Sequence, residues 1–201
     1  MTATNPFFEI SLLPYQAPHF DEIHDSHYRP AFDEALRQKR ADVDAIISQT
    51  AAPDFNNTVL ALEKSGALLS RVSSVFFAMT SAHTNAYLQE LEEQFSTGLA
   101  ELANDIWLND VLFARVESVW QDRAALDAES HRLVEEMYQR FILAGARLNE
   151  AEKAELKALN TEAASLTSQF NQRLLAADKT GGLVVDYAHQ LDGLSAAEIA
   201  D

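Results

Sequence analysis

The stretch Leu159-Asn160-Thr161-Glu162-Ala163-Ala164-Ser165-Leu166-Thr167-Ser168-Gln169-Phe170-Asn171-Gln172-Arg173-Leu174 places an apolar side chain every three or four positions. Leu159, Ala163, Leu166, Phe170 and Leu174 follow the 3.6-residue period, so they form one stripe along one side of a helix. The same period recurs upstream. Tyr28, Phe32, Ala35, Lys39, Val43 and Ile46 form one set. Val59, Leu62, Leu69, Val72, Phe76 and Met79 form a second, interrupted at Gly66. Leu88, Leu91, Phe95, Leu99, Leu102 and Ile106 follow, then Leu112, Val116, Val119 and Trp120, then Val134, Met137, Tyr138 and Phe141. Phe76, Phe77, Trp107, Phe113 and Trp120 fall on or beside these stripes and are expected in the core.

Helix starts agree with the periods. Thr84, Asn109 and Asp127 stand where N-caps are needed, and Asn149 with Glu152 has the spacing of a capping box. Short connections between such helices predict antiparallel neighbours. Four of the five prolines, Pro6, Pro14, Pro18 and Pro30, lie in the first thirty residues. They predict an extended arm that enters a helix near Pro30, because proline fits a helix's first turn. Gly181-Gly182 followed by Leu183-Val184-Val185 reads as a turn into a strand-like or extended segment near 182–186. The expected fold is therefore all-α, an antiparallel multi-helix array. It has an arm over 1–29, a helical domain over 30–180, and an extended segment with the start of a helix over 181–201.

Composition narrows the function. The chain has 201 residues, 47% of them apolar, and no cysteine. It can bury a core, and it has neither a disulfide framework nor a thiolate nucleophile or zinc ligand. Thirty-one acids against fifteen bases give a net charge of −16, which repels nucleic-acid backbones and anionic lipid. No run approaches the roughly 20 apolar residues of a membrane helix. Arg29 is the first basic residue and no apolar leader precedes it, which predicts a cytoplasmic protein. Ser195 with Glu198 opens a helix only three residues before Asp201, which predicts that the chain is part of a longer protein.

The residues show no catalytic motif. None of the six histidines is followed by glutamate, so H-E-x-x-H is absent. His24 and His27, with Asp21 and Asp25 nearby, have the spacing to hold a metal on a helix turn; surface histidines are the simpler reading. His131 and Glu135 face each other at i and i+4 and read as a helix-face ion pair. Glu92-Glu93 and Glu135-Glu136 read as solvated faces. No Glu-x-x-His pair for a two-metal bundle, no nucleophile elbow and no phosphate loop occurs, and Gly181-Gly182 alone says nothing about phosphate. The expected catalytic, cofactor-binding and metal-ligating residues of this chain are therefore none.

Several strings occur in a telling order: Asn5-Pro6-Phe7, Leu13-Pro14-Tyr15, Ala17-Pro18-His19-Phe20-Asp21 and His27-Tyr28-Arg29-Pro30-Ala31-Phe32. Pro53-Asp54-Phe55-Asn56-Asn57-Thr58, Ala144-Gly145-Ala146-Arg147-Leu148 and Leu166-Thr167-Ser168-Gln169-Phe170-Asn171 follow. Together they resemble the N-terminal part of the thimet-oligopeptidase family of zinc metallopeptidases. Phe170-Asn171-Gln172-Arg173 resembles the peptidyl-dipeptidase branch, which favours an exopeptidase.

The resemblance implies a helical enzyme built in two halves around a channel for short peptides. In that family zinc is held by H-E-x-x-H and a downstream glutamate, all in the C-terminal part. Zinc is thus implied for the longer parent and not for this chain, which would supply channel wall and scaffold and be inert alone. Its partners would be the C-terminal catalytic part and, in the parent, short peptides. Helix faces meant for that part predict self-association of the isolated chain. Two other readings stay open: a free-standing helical module that binds a partner helix or peptide, and a metal-binding bundle through His24 and His27.

Overall fold

The computed structural model describes residues 5–181 and 185–200. Among them the regular elements are helical. The long helices are α1 (Asp25–Ile47), α3 (Ala67–Ala82), α4 (Ala86–Trp107), α5 (Asp110–Gln121), α6 (Ala128–Ala144) and α7 (Glu150–Thr180). Short α2 (Ala61–Lys64) continues a π-helical turn over Phe55–Leu60, and α8 spans Ala196–Ala200. The chain divides into two units, Met1–Ser168 and Gln169–Asp201, so the division falls within α7.

Local chemistry sets most boundaries. Asn109 Oδ1 accepts the Leu112 N–H at 2.9 Å, and Asp127 Oδ1 accepts those of Glu129 and Ser130 at 3.1 Å. Asn149 and Glu152 form the reciprocal box at 2.9 and 3.0 Å. One cap falls a residue later than the sequence suggests: Asn85, not Thr84, starts α4, because its amide oxygen reaches the Leu88 N–H at 3.0 Å. Helix α1 begins at Asp25 rather than near Pro30. The His24 N–H donates to His27 Nδ1 at 3.1 Å, and Pro30 lies inside the helix. Gly145 ends α6 with φ +99, where a Cβ would stand 2.8 Å from Leu156 and 2.9 Å from Leu148. That geometry accounts for glycine in Ala144-Gly145-Ala146.

In the first unit, α1 and α3 run antiparallel. Tyr28 meets Phe76 at one end (ring centroids 5.2 Å apart), and Asp42 accepts the Gly66 N–H at 3.3 Å at the other. Helices α1 and α4 run parallel, since Arg29 bonds Gln94 and Arg40 pairs with Asp105 at 3.6 Å, the same offset along both helices. Helices α5 and α6 are antiparallel, with Phe113 against Phe141 and Trp120 stacked on Tyr138 at 4.3 Å. Two core clusters result. Tyr28, Phe32, Phe76, Leu88 and Phe95 make one with Phe7 of the arm. Val43, Ile46, Leu102, Ile106, Leu112, Val116, Val134 and Phe141 make the other. Leu36 and Leu69 pack against both and join them. Phe76 and Phe113 are buried core residues, and Phe77, Trp107 and Trp120 pack against the core, as the stripes predict.

The second unit holds the remainder of α7, a 3-10 turn over Ala188–Leu191 and α8. Gln190 Oε1 accepts the N–H groups of Asp186 and Tyr187 at 3.1 and 3.0 Å. Ser195 and Glu198 cap α8 reciprocally at 2.7 and 3.4 Å. Of the strand-like segment expected near 182–186, residues 182–184 lie outside the described residues, and Val185 and Asp186 are neither helical nor paired as strand.

Candidate functional site

The sequence candidates for metal or acid–base work come together in pairs, His24 with His27 (ring centroids 5.3 Å apart) and His131 with Glu135, and the two pairs lie apart in the sequence. His27 Nδ1 is occupied by the His24 backbone N–H. His131 Nδ1 lies 3.7 Å from Glu135, whose carboxylate also meets Arg123 at 3.6 Å and Arg132 at 3.7 Å. This is a surface charge network, and it includes Glu136 paired to Arg132. Among the described residues no group of three or more His, Asp or Glu side chains is arranged to hold a metal ion. Glu92 and Glu93 differ from the solvated face the sequence suggests. Partial burial raises the Glu92 carboxyl above its ordinary value, and Glu93 accepts a hydrogen bond from Ser165 Oγ at 2.9 Å. The Glu93 contact comes from α7 meeting α4, which no local pattern shows.

The unusual feature of the first unit is how α7 meets its neighbours. Its inward side is polar. Buried Lys153 pairs with the Asp110 carboxylate at the start of α5. Buried Asn104 of α4 accepts from Asn160 Nδ2 at 2.7 Å. Ser165 then bonds Glu93, and Ser168 is buried. The apolar stripe points the other way. Leu159 is 54% exposed and Leu166 56% exposed. In the second unit's part of the helix Phe170 and Leu174 are exposed as well. An amphipathic helix ordinarily turns its apolar side to the core. Here the stripe has the helical period the sequence predicts but faces outward.

The Lys153–Asp110 contact gives a pH-dependent test. The hydrogen bond from Lys153 is the main cause that holds the Asp110 carboxyl below its ordinary value. A depressed folded value stabilises the fold above the unfolded aspartate range, about pH 4. That contribution is lost as pH falls through the lower folded value. Carboxyl NMR should place the Asp110 midpoint below that of an unperturbed aspartate, and Lys153→Met should move it back up. An unchanged midpoint in Lys153→Met would show that the contact does not hold α7 to α5.

Two cavities of the first unit bear on ligand binding. A groove of about 650 Å³ between α4 and α7 is lined by Thr97, Lys157, Ala158, Thr161, Ser165 and Leu166, whose methyl and methylene groups make most of its wall apolar. A smaller one of about 340 Å³ near Trp107 has apolar walls from Leu62, Leu99, Ile106 and Met137. No helix among the described residues is long and apolar enough to cross a membrane.

No family model matches the chain. The chain is 66% identical over 202 aligned residues to dipeptidyl carboxypeptidase of Escherichia coli, covering 100% of this chain and 30% of that protein. It is 65% identical to dipeptidyl carboxypeptidase of Salmonella typhimurium, over 98% of this chain and 29% of the relative. Oligopeptidase A of Escherichia coli is 25% identical over 98% of this chain and 29% of its own length. The resemblance carried by the sequence strings thus extends along the whole chain. The chain spans about 30% of the length of the relatives it matches.

Proposed function

We propose that this chain forms the N-terminal part of a cytoplasmic zinc peptidase that releases dipeptides from the C-termini of short peptides. Its role is scaffold and channel wall. The observation that carries this reading is α7, whose polar side faces its own unit while Leu159 and Leu166 face outward. An apolar stripe of that kind has a packing use only if further polypeptide covers it. The length of the relatives supplies such polypeptide, since about 30% of each is matched here. In this reading the zinc ligands belong to the polypeptide beyond this chain, and this chain supplies none of them. Deprived of its cover, the isolated chain self-associates through the same stripe only at high concentration, against the mutual repulsion of its −16 charge.

The test is a chimera in which the matched part of the Escherichia coli relative is replaced by this chain. The chimera is expected to release dipeptides from a blocked tripeptide in a chelator-sensitive reaction, and this chain alone is expected to release none. A folded but inactive chimera would overturn the reading, as would chelator-sensitive hydrolysis in proportion to the pure chain.

A further inference from the structure

A second surface stands out, remote in sequence from α7. Between Phe8 and Phe20 the arm exposes Phe8, Ile10, Leu12, Leu13, Tyr15 and Phe20. Leu12 is 96% exposed and Tyr15 has the full exposure of an isolated residue. The segment is nevertheless held in a defined shape. Phe7 is buried against Tyr28 with ring centroids 5.5 Å apart, and Arg71 Nη1 donates to the carbonyls of Phe7 and Glu9 at 2.8 and 2.9 Å. The Gln16 N–H bonds the Leu13 carbonyl at 2.9 Å, and that of Ala17 bonds Pro14 at 3.2 Å. Tyr15 and Gln16 take φ of +59 and +56, the left-handed region that non-glycine residues adopt at a cost. Apolar side chains displayed outward by a clasped, strained loop are not a collapsed tail. They are a preformed contact surface.

Charge selects the occupant. Glu9 is the one formally charged residue between Phe8 and Phe20, in a chain of net charge −16. Covering this stretch therefore desolvates almost no charge. An anionic bilayer is repelled by the chain as a whole, and so is a second copy, which carries the same −16. Polypeptide joined to the chain meets neither obstacle strongly, because linkage raises its local concentration. We infer that the loop from Phe8 to Phe20 is a docking element for the polypeptide that makes up the rest of the longer protein, a clamp separate from α7. This rests on the reading given under Proposed function.

The test compares nitration of Tyr15 by tetranitromethane, followed by peptide mass spectrometry, in the isolated chain and in the chimera. Tyr15 should react at least tenfold more slowly in an active chimera. The pair Leu12→Ser with Tyr15→Ser should leave the melting temperature of the isolated chain unchanged and lower that of the chimera by several degrees. Equal nitration in an active chimera, or an unchanged melting temperature of its double variant, would overturn the clamp and leave the peptidase reading standing. Protection of Tyr15 in the isolated chain that grows with concentration would overturn it in favour of a second copy. A folded but inactive chimera would overturn both.

Discussion

Arg115→Met is expected to lower the unfolding free energy by about 2–4 kcal/mol, read from urea denaturation. Arg115 is buried on α5 and pairs with no carboxylate among the described residues. Its guanidinium donates to the carbonyls of Gln49 and Ala51 at 3.2 and 3.3 Å and to Asn57 Oδ1 at 3.1 Å. Hydrogen bonds from a charged donor contribute roughly 1.5–3 kcal/mol each, and carbonyls left buried without a donor add a further penalty. Against this, methionine removes the cost of burying a cation and the unpartnered Arg115 Nε. The losses exceed the relief because three hydrogen bonds from a charged donor are lost at once.

Asn57 makes the effect spread. Its side chain also accepts the Asp54 N–H at 3.0 Å and donates to the Ala52 carbonyl at 2.9 Å, so Arg115 closes a knot that shapes the chain between α1 and α2. Arg115→Lys should recover only part of the loss, since an ammonium cannot span the fork. A change below about 0.5 kcal/mol in Arg115→Met, the range of ordinary surface substitutions, would show that the knot closes without the arginine.

That knot also marks where the sequence is legible and where it is not. The string Pro53-Asp54-Phe55-Asn56-Asn57-Thr58 stands out on resemblance, and its caps are local, so Asp54 and Asn57 are readable as a helix start. Arg115 is not, because its acceptors lie 58 to 66 residues upstream. It sits between Leu112 and Val116 in an apolar run, the one signal that its charge is buried. The caps at Asn109, Asp127 and Asn149 need only neighbours within a turn, so the sequence places them correctly. The candidate site divides in the same way. The sequence shows that this chain carries no recognisable catalytic motif and that an apolar stripe runs along α7. Which way the stripe faces depends on Lys153, Asn160 and Ser165 finding Asp110, Asn104 and Glu93, partners that no periodicity names.

Phe95→Ala should cost about 3–5 kcal/mol, the range for deleting a buried phenylalanine, while Phe170→Ala should stay within about 0.5 kcal/mol. Both residues sit on apolar stripes of long helices, and their sequence surroundings do not distinguish them. Phe95 is fully buried, stacks on Phe32 with ring centroids 3.8 Å apart, and meets Phe76 at 4.6 Å. Removing it empties the centre of one core cluster and dissolves two ring contacts, each worth roughly 0.5–1.5 kcal/mol beyond area burial. Phe170 is 64% exposed and leaves no cavity when shortened. Urea denaturation of the two variants of the isolated chain measures the contrast. Repeating it in the chimera sharpens the test, because Phe170 acquires a cost there only if joined polypeptide covers α7. Phe95→Ala should lose the same amount in both contexts, since its partners are all within this chain. A Phe170→Ala loss above 1 kcal/mol that appears only in the chimera would locate the cover on this stripe. Equal and negligible losses in both would mean that the stripe stays open in the longer protein.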